Sequence, residues 1–137
     1  MSQGLYRDII LEHSRNPRNS GRLDHPTHAG RASNPVCGDE LELTLDLAGG
    51  RVHAIRAAVR GCVISQAASS LMTLAVEGAE RERLLAMAAE FRLALDGKVD
   101  TLSPPLASLA PLLELRQHRS RIGCALLPWS ALERALG

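Results

Sequence analysis

The chain has 137 residues, of which 45% are apolar and 23% charged. That length and balance predict one soluble globular domain over residues 1–137, long enough to bury a core without disulfide or metal staples. A net charge of +1, from 16 basic and 15 acidic residues, argues against a nucleic-acid or membrane surface, and a single lysine, Lys98, argues against Schiff-base chemistry.

In chain order, Leu5, Tyr6, Ile9, Ile10 and His13 recur at helical spacing and predict a helix over roughly residues 4–15. Met1 to Ile10 has no basic segment followed by an apolar run, and no stretch approaches transmembrane length, so the expected compartment is the cytoplasm. Asn16-Pro17 ends the first helix. Residues 22–36 mix Pro, Gly, His and Asn and read as a loop with an edge strand near 27–33. Leu41, Leu43, Leu45 and Leu47 alternate with Glu42, Thr44 and Asp46, the period of a half-buried strand. Gly49-Gly50 reads as a hairpin turn, followed by a strand over about 51–60 with Ile55, Ala57 and Val59 facing the core.

From Ser65 the spacing turns helical, through Ala68, Leu71, Met72, Ala75 and Val76, and Gly78 stops the helix. A third helix is expected over 80–95, with Leu84, Leu85, Ala88, Phe91 and Leu95 on one stripe. Ser103-Pro104-Pro105 opens a shorter apolar helix through Leu113, then a polar, arginine-rich stretch from Glu114 to Arg121. The last helix runs to Leu136, with Cys124 at or near its start and Pro128 either in its first turn or at a kink. One helix, a small three-stranded antiparallel sheet and several further helices make an α+β fold.

Three cysteines, in a compartment that disfavours disulfides, leave core packing, metal ligation or redox chemistry. Cys37 and Asp39 flank Gly38 on a tight bend, and in extended backbone both face one side, so a thiolate and a carboxylate could grip one cation. Cys62 follows Gly61 at a strand-to-helix junction, where the helix N-terminus favours thiolate. The same reasoning extends to Cys124 if it begins the last helix. Arg121, three residues earlier, would share its face and offset the negative charge of such a site.

Three cysteines and an aspartate suit a tetrahedral zinc, and also iron or an iron–sulfur cluster; they do not suit magnesium or calcium. The competing readings are plain: free cysteines that pack as small hydrophobes, Asp39 as a turn residue and Arg121 as a solvated charge. His13 and His53 read as surface positions, and His25 and His28 as loop histidines without a metal.

Asn34-Pro35-x-Cys37-Gly38-Asp39, Gly61-Cys62-x-Ile64-Ser65 with its small-residue run, and Arg121-Ile122-x-Cys124-Ala125-Leu126 with Trp129 together resemble the NifU/IscU family of iron–sulfur cluster assembly proteins, over nearly the whole chain. The long stretch between Cys62 and Cys124, and Gly123 where the IscU scaffold branch typically carries a histidine ligand, make the SufU branch the nearer likeness. The resemblance implies a SufE/NifU-like fold and tight zinc on Cys37, Asp39, Cys62 and Cys124. It also implies persulfide sulfur accepted on Cys37 from a PLP-dependent cysteine desulfurase of the SufS type. On the side chains' own chemistry, Arg121 would then hold or orient the released thiolate.

Three other functions compete. The same ligands could build an iron–sulfur cluster and pass it to an apo-acceptor or another assembly protein. The zinc could be structural in a plain binding module. An autonomous cysteine hydrolase is disfavoured, since no histidine adjoins a cysteine motif. The stretch Arg116–Arg121 and the surface beside Cys37 are the candidate docking surfaces.

Overall fold

The computed structural model describes residues 3–137. The chain forms α1 (Gln3–Arg15), β1 (His28–Asn34), β2 (Asp39–Ala48), β3 (Arg51–Arg60), α2 (Val63–Ala75), α3 (Arg81–Leu95), a 3-10 segment (Pro104–Gln117) and α4 (Arg119–Leu136). This is the expected α+β architecture.

The strands form one antiparallel sheet in the order β1-β2-β3. The period-two pattern of β2 sets its register: Leu41, Leu43 and Leu45 point into the core beside Ala32 of β1 and Val52, Ile55 and Ala57 of β3. The loop after α1 covers the edge of β3, where the Gly21 N–H donates to the Ala57 carbonyl at 3.0 Å and the Ala57 N–H to the Asn19 carbonyl at 2.9 Å. An edge covered in this way offers no template to another chain.

Helix α4 crosses β1 backbone to backbone. A Cβ on Gly30 would lie 2.3 Å from the Ala131 carbonyl oxygen, so only glycine allows the approach. Helix α2 is buried through Ser65 and from Ala67 to Thr73, and its small side chains let neighbours close in on several sides. On α3 the buried stripe is Leu84, Met87, Ala88, Phe91, Ala94 and Leu95, while Leu85, expected inside, is 45% exposed. Phe91 meets Trp129 of α4 with ring centroids 5.8 Å apart, a tilted pair typical of buried aromatics.

The C-terminal third departs from expectation. The apolar segment does not stop at Leu113, and the arginine-rich stretch from Glu114 to Arg121 does not separate two helices: 3-10 turns continue to Gln117 and α4 begins at Arg119. Leu106, Leu109, Leu112 and Leu115 are all buried, and their spacing of three matches the three residues per turn of a 3-10 helix. Pro111 removes an N–H donor that an α-helix would use, while Pro104 and Pro105 sit in the first turn, where those groups have no partner within the helix. Pro128 is neither in the first turn of α4 nor at its end; it sits mid-helix and leaves the Cys124 carbonyl without its usual i+4 donor. No helix among the described residues is long and apolar enough to cross a membrane.

Candidate metal centre

All three cysteines lie at one end of the sheet. The turn between β1 and β2 carries Cys37, and Gly38 closes it at φ 78°, a backbone angle that disfavours side-chain-bearing residues. The turn is held by the Gly38 N–H on the Asn34 carbonyl at 2.8 Å and the Val36 N–H on the Asn34 side-chain oxygen at 3.1 Å. Asp39 begins β2 opposite Asn34, and Gly61 follows β3 beside it. A Cβ on Gly61 would come within 2.7 Å of the Asp39 Cγ, so the glycine makes room for this carboxylate.

Asp39 is buried, yet its partners favour charge. The Cys62 N–H donates to Oδ2 at 3.2 Å and the Ser65 hydroxyl to the same oxygen at 2.5 Å; Oδ1 is used by neither. Cys62 is the N-cap of α2, so a carboxylate from β2 serves as the cap that the helix's own side chains do not provide. Burial pushes the Asp39 carboxyl up, but the hydrogen bonds from Ser65, from the Cys62 thiol and N–H and from Cys37 together outweigh it and hold the pKa down to about 2.

The Cys37 and Cys124 sulfurs are 3.4 Å apart, much farther than a disulfide's roughly 2.05 Å, so both are free thiols. Ligand atoms of Cys37, Asp39 and Cys124 all lie within 4.8 Å of one another. A tetrahedral zinc with sulfur at about 2.3 Å places its ligand atoms roughly 3.8 Å apart, so this trio has the donor chemistry and nearly the spacing for one ion. Cys62 falls outside that grouping of three. Its thiol nevertheless interacts with both the Asp39 carboxyl and the Cys124 thiol.

The three thiols differ in exposure. Cys37 is exposed, Cys62 intermediate and Cys124 buried. Cys124, expected at or near a helix start, lies more than a turn inside α4, away from the unpaired N–H groups of the first turn. Burial first, then its contacts with Cys37 and Cys62, push its pKa up to about 12. Metal-free Cys124 is therefore a neutral thiol, the reverse of what a helix start would give.

Arg121 is in the first turn of α4, three residues before Cys124, and lines a cleft with Cys62, Val63, Ile64, Leu115, His118 and Ser120. Among the described residues its guanidinium makes no hydrogen bond or ion pair. His118 lines the same cleft as Cys62, an arrangement that distance along the chain concealed. His28 sits at the far end of β1, opposite Leu45, against Thr27 and Arg81. Six residue steps along the strand, roughly 20 Å, separate it from Asn34, and His25 lies in the loop before it, so neither reaches the thiols.

Two further residues shape the site: Asn34, whose side-chain N–H donates to the Cys124 sulfur at 3.9 Å, and Ser65. Both were legible only as turn and helix-start residues. Asn before Pro is a turn signal, and Ser65 falls three residues after a helix N-cap, where a side chain can reach the capping group.

Residues 5–96 match the family model for the NifU-like N terminal domain. The chain is 37% identical over 132 residues to the zinc-dependent sulfurtransferase SufU of Bacillus subtilis (strain 168), covering 96% of this chain and 89% of that protein. It is 35% identical, also over 132 residues, to the iron–sulfur cluster assembly scaffold protein IscU of Streptococcus pyogenes serotype M1, covering 96% of this chain and 82% of that one. Its fold superposes with a TM-score of 0.90 on a crystal structure from Fervidobacterium islandicum AW-1 assigned as a cluster assembly scaffold for the SUF system, at 26% identity and full coverage of both chains. The chain belongs to the NifU-like N-terminal domain family.

Proposed function

We propose that this chain is an iron–sulfur cluster assembly protein acting as a zinc-binding sulfur carrier, with Cys37 accepting persulfide sulfur from a PLP-dependent cysteine desulfurase. One observation carries the reading: the exposed Cys37 thiol stands on a glycine-closed turn 3.4 Å from the buried Cys124 thiol. One member of the site can leave while the others stay in the core. The identity to a relative named as a zinc-dependent sulfurtransferase supports it.

Cys37, Asp39, Cys62 and Cys124 would hold the zinc, with the Cys62 side chain turning in to join the other three. Bound zinc would keep the thiols deprotonated at neutral pH. The remaining chemistry belongs to the side chains. The Cys37 thiolate attacks the outer sulfur of the donor's cysteine persulfide. A new S–S bond forms at Cys37, the donor's S–S bond breaks, and the donor cysteine leaves as thiolate; no external oxidant is needed. Access decides the acceptor, and of the three sulfurs only that of Cys37 is exposed. Asp39 stays charged and anchored by Ser65 and Cys62 throughout. Arg121, which lines the same cleft as Cys62, would steady a released thiolate.

A second reading, a scaffold that builds a cluster as cargo and passes it to an apo-acceptor, is supported by the match over 132 residues to a relative named as an IscU scaffold. Anaerobic purification separates the two. Colourless protein with near-stoichiometric zinc that stimulates desulfurase turnover supports the carrier. Brown protein that hands its cluster to an apo-acceptor supports the scaffold. A purely structural zinc would make Cys37→Ala as damaging to folding as Cys62→Ala; the carrier reading expects folded Cys37→Ala protein that fails to stimulate.

A further inference from the structure

The Asn34 amide occupies a space that position 123 leaves open. A Cβ built on Gly123 would sit 2.7 Å from Asn34 Nδ2 and 3.5 Å from its Cγ. The same Nδ2 donates to the Cys124 sulfur at 3.9 Å. The other end of this side chain, Oδ1, accepts the Val36 N–H, and the Asn34 carbonyl accepts the Gly38 N–H at 2.8 Å and faces the Cys37 thiol at 3.8 Å. One residue thus closes the turn that carries the exposed thiol and contacts the sulfur of the buried one.

We infer that Asn34 is a positioning residue of the thiol centre: it donates to the Cys124 sulfur from the space left by Gly123 and so clamps the Cys37 turn against α4. A donor to a ligating sulfur delocalises its charge and fixes its orientation, and losing such a partner typically weakens metal binding about ten- to a hundredfold. The glycine is then a requirement of the asparagine and not of the helix. Inside α4 an alanine would be the better helix former at position 123.

The inference rests on the metal reading above, and the experiment keeps the two apart. Zinc affinity is measured by competition with a chromophoric chelator on the full chain. Asn34→Ala is expected to bind zinc about ten- to a hundredfold more weakly. Asn34→Asp keeps the shape and the acceptor for the Val36 N–H but loses the donor, so it should weaken zinc at least as much; a residue that only caps the turn would leave it unchanged. Gly123→Ala should weaken zinc in the Asn34 background and have no further effect in the Asn34→Ala background.

Wild-type affinity in Asn34→Asp, or equal losses from Gly123→Ala in both backgrounds, overturns the proposal. Should the wild-type chain take up no zinc, the metal reading fails and the melting temperature of metal-free protein decides. Gly123→Ala must lower it in the Asn34 background and raise it in the Asn34→Ala background; a rise in both, or a fall in both, overturns the clamp.

Discussion

Two turns join the strands of the sheet, one at each end, and they are built on different terms. The turn between β2 and β3 is Gly49-Gly50, both at positive φ, 60° and 76°, with no side chain to offer. Around it the contacts are backbone bonds, such as the Arg81 N–H on the Gly50 carbonyl at 3.1 Å, and an exposed ion pair between Arg51 and Glu80. The turn between β1 and β2 carries a thiol, and the two residues that flank it are tied to other elements: Asn34 to α4, Asp39 to the start of α2. One sheet thus has an end held to its neighbours by backbone bonds and an exposed ion pair, and an end where side chains of three elements converge on sulfur. The difference teaches that the thiol end is maintained by side-chain hydrogen bonds between elements, which tie its chemistry to its fold.

The largest expected effect separates chemistry from fold at that end. Cys37→Ala should abolish stimulation of desulfurase turnover, while the unfolding free energy of metal-free protein in urea titration moves by no more than about 0.5 kcal/mol, because the residue is exposed. Asp39→Ala should do both kinds of damage. It removes a candidate ligand and leaves the buried Ser65 hydroxyl and the α2 N-terminus without their acceptor, at roughly 1–3 kcal/mol in denaturant unfolding of metal-free protein. If Asp39→Ala proved neutral to stability, the cross-element account of this end would be wrong.

The pH dependence of the metal-free protein sharpens the same point. The folded Asp39 pKa lies below its ordinary value of 3.8, so its contribution is present above that pH and is lost as pH falls toward about 2. The folded Cys124 pKa is raised, so its contribution is complete below about pH 9 and is lost as pH climbs toward about 12. Unfolding midpoints taken at both extremes should flatten selectively in Asp39→Asn and in Cys124→Ala. The smallest effects belong to the opposite turn. Gly50→Ala, forced to positive φ, should cost about 1 kcal/mol, and Glu80→Gln less than about 1 kcal/mol, and neither should change zinc content or stimulation.

Much of this contrast can be read from residues alone. The alternation in β2, the Gly49-Gly50 turn and the small-residue helix after Cys62 announce themselves by period and by turn chemistry. The placement of Cys37, Asp39 and Cys62 follows from those elements. The C-terminal third hides because its signals conflict. Leucines every three residues mark a 3-10 run that is rarely so long, and prolines mask its continuity. Arg119 and Arg121 in the first turn of α4 oppose the helix dipole, so the sequence there reads as loop although α4 has begun. The burial of Cys124 follows from that missed start. The partnership of Asn34 with Gly123 spans 89 positions, and only the packing of α4 on β1 discloses it.

The most direct test of the central claim is mass spectrometry of the zinc-loaded chain after incubation with a cysteine desulfurase and cysteine. A sulfur carrier must gain the mass of one sulfur atom on the peptide that contains Cys37, and Cys37→Ala must gain none. Sulfur found instead on Cys62 or Cys124, or an unchanged gain in Cys37→Ala, would contradict the account.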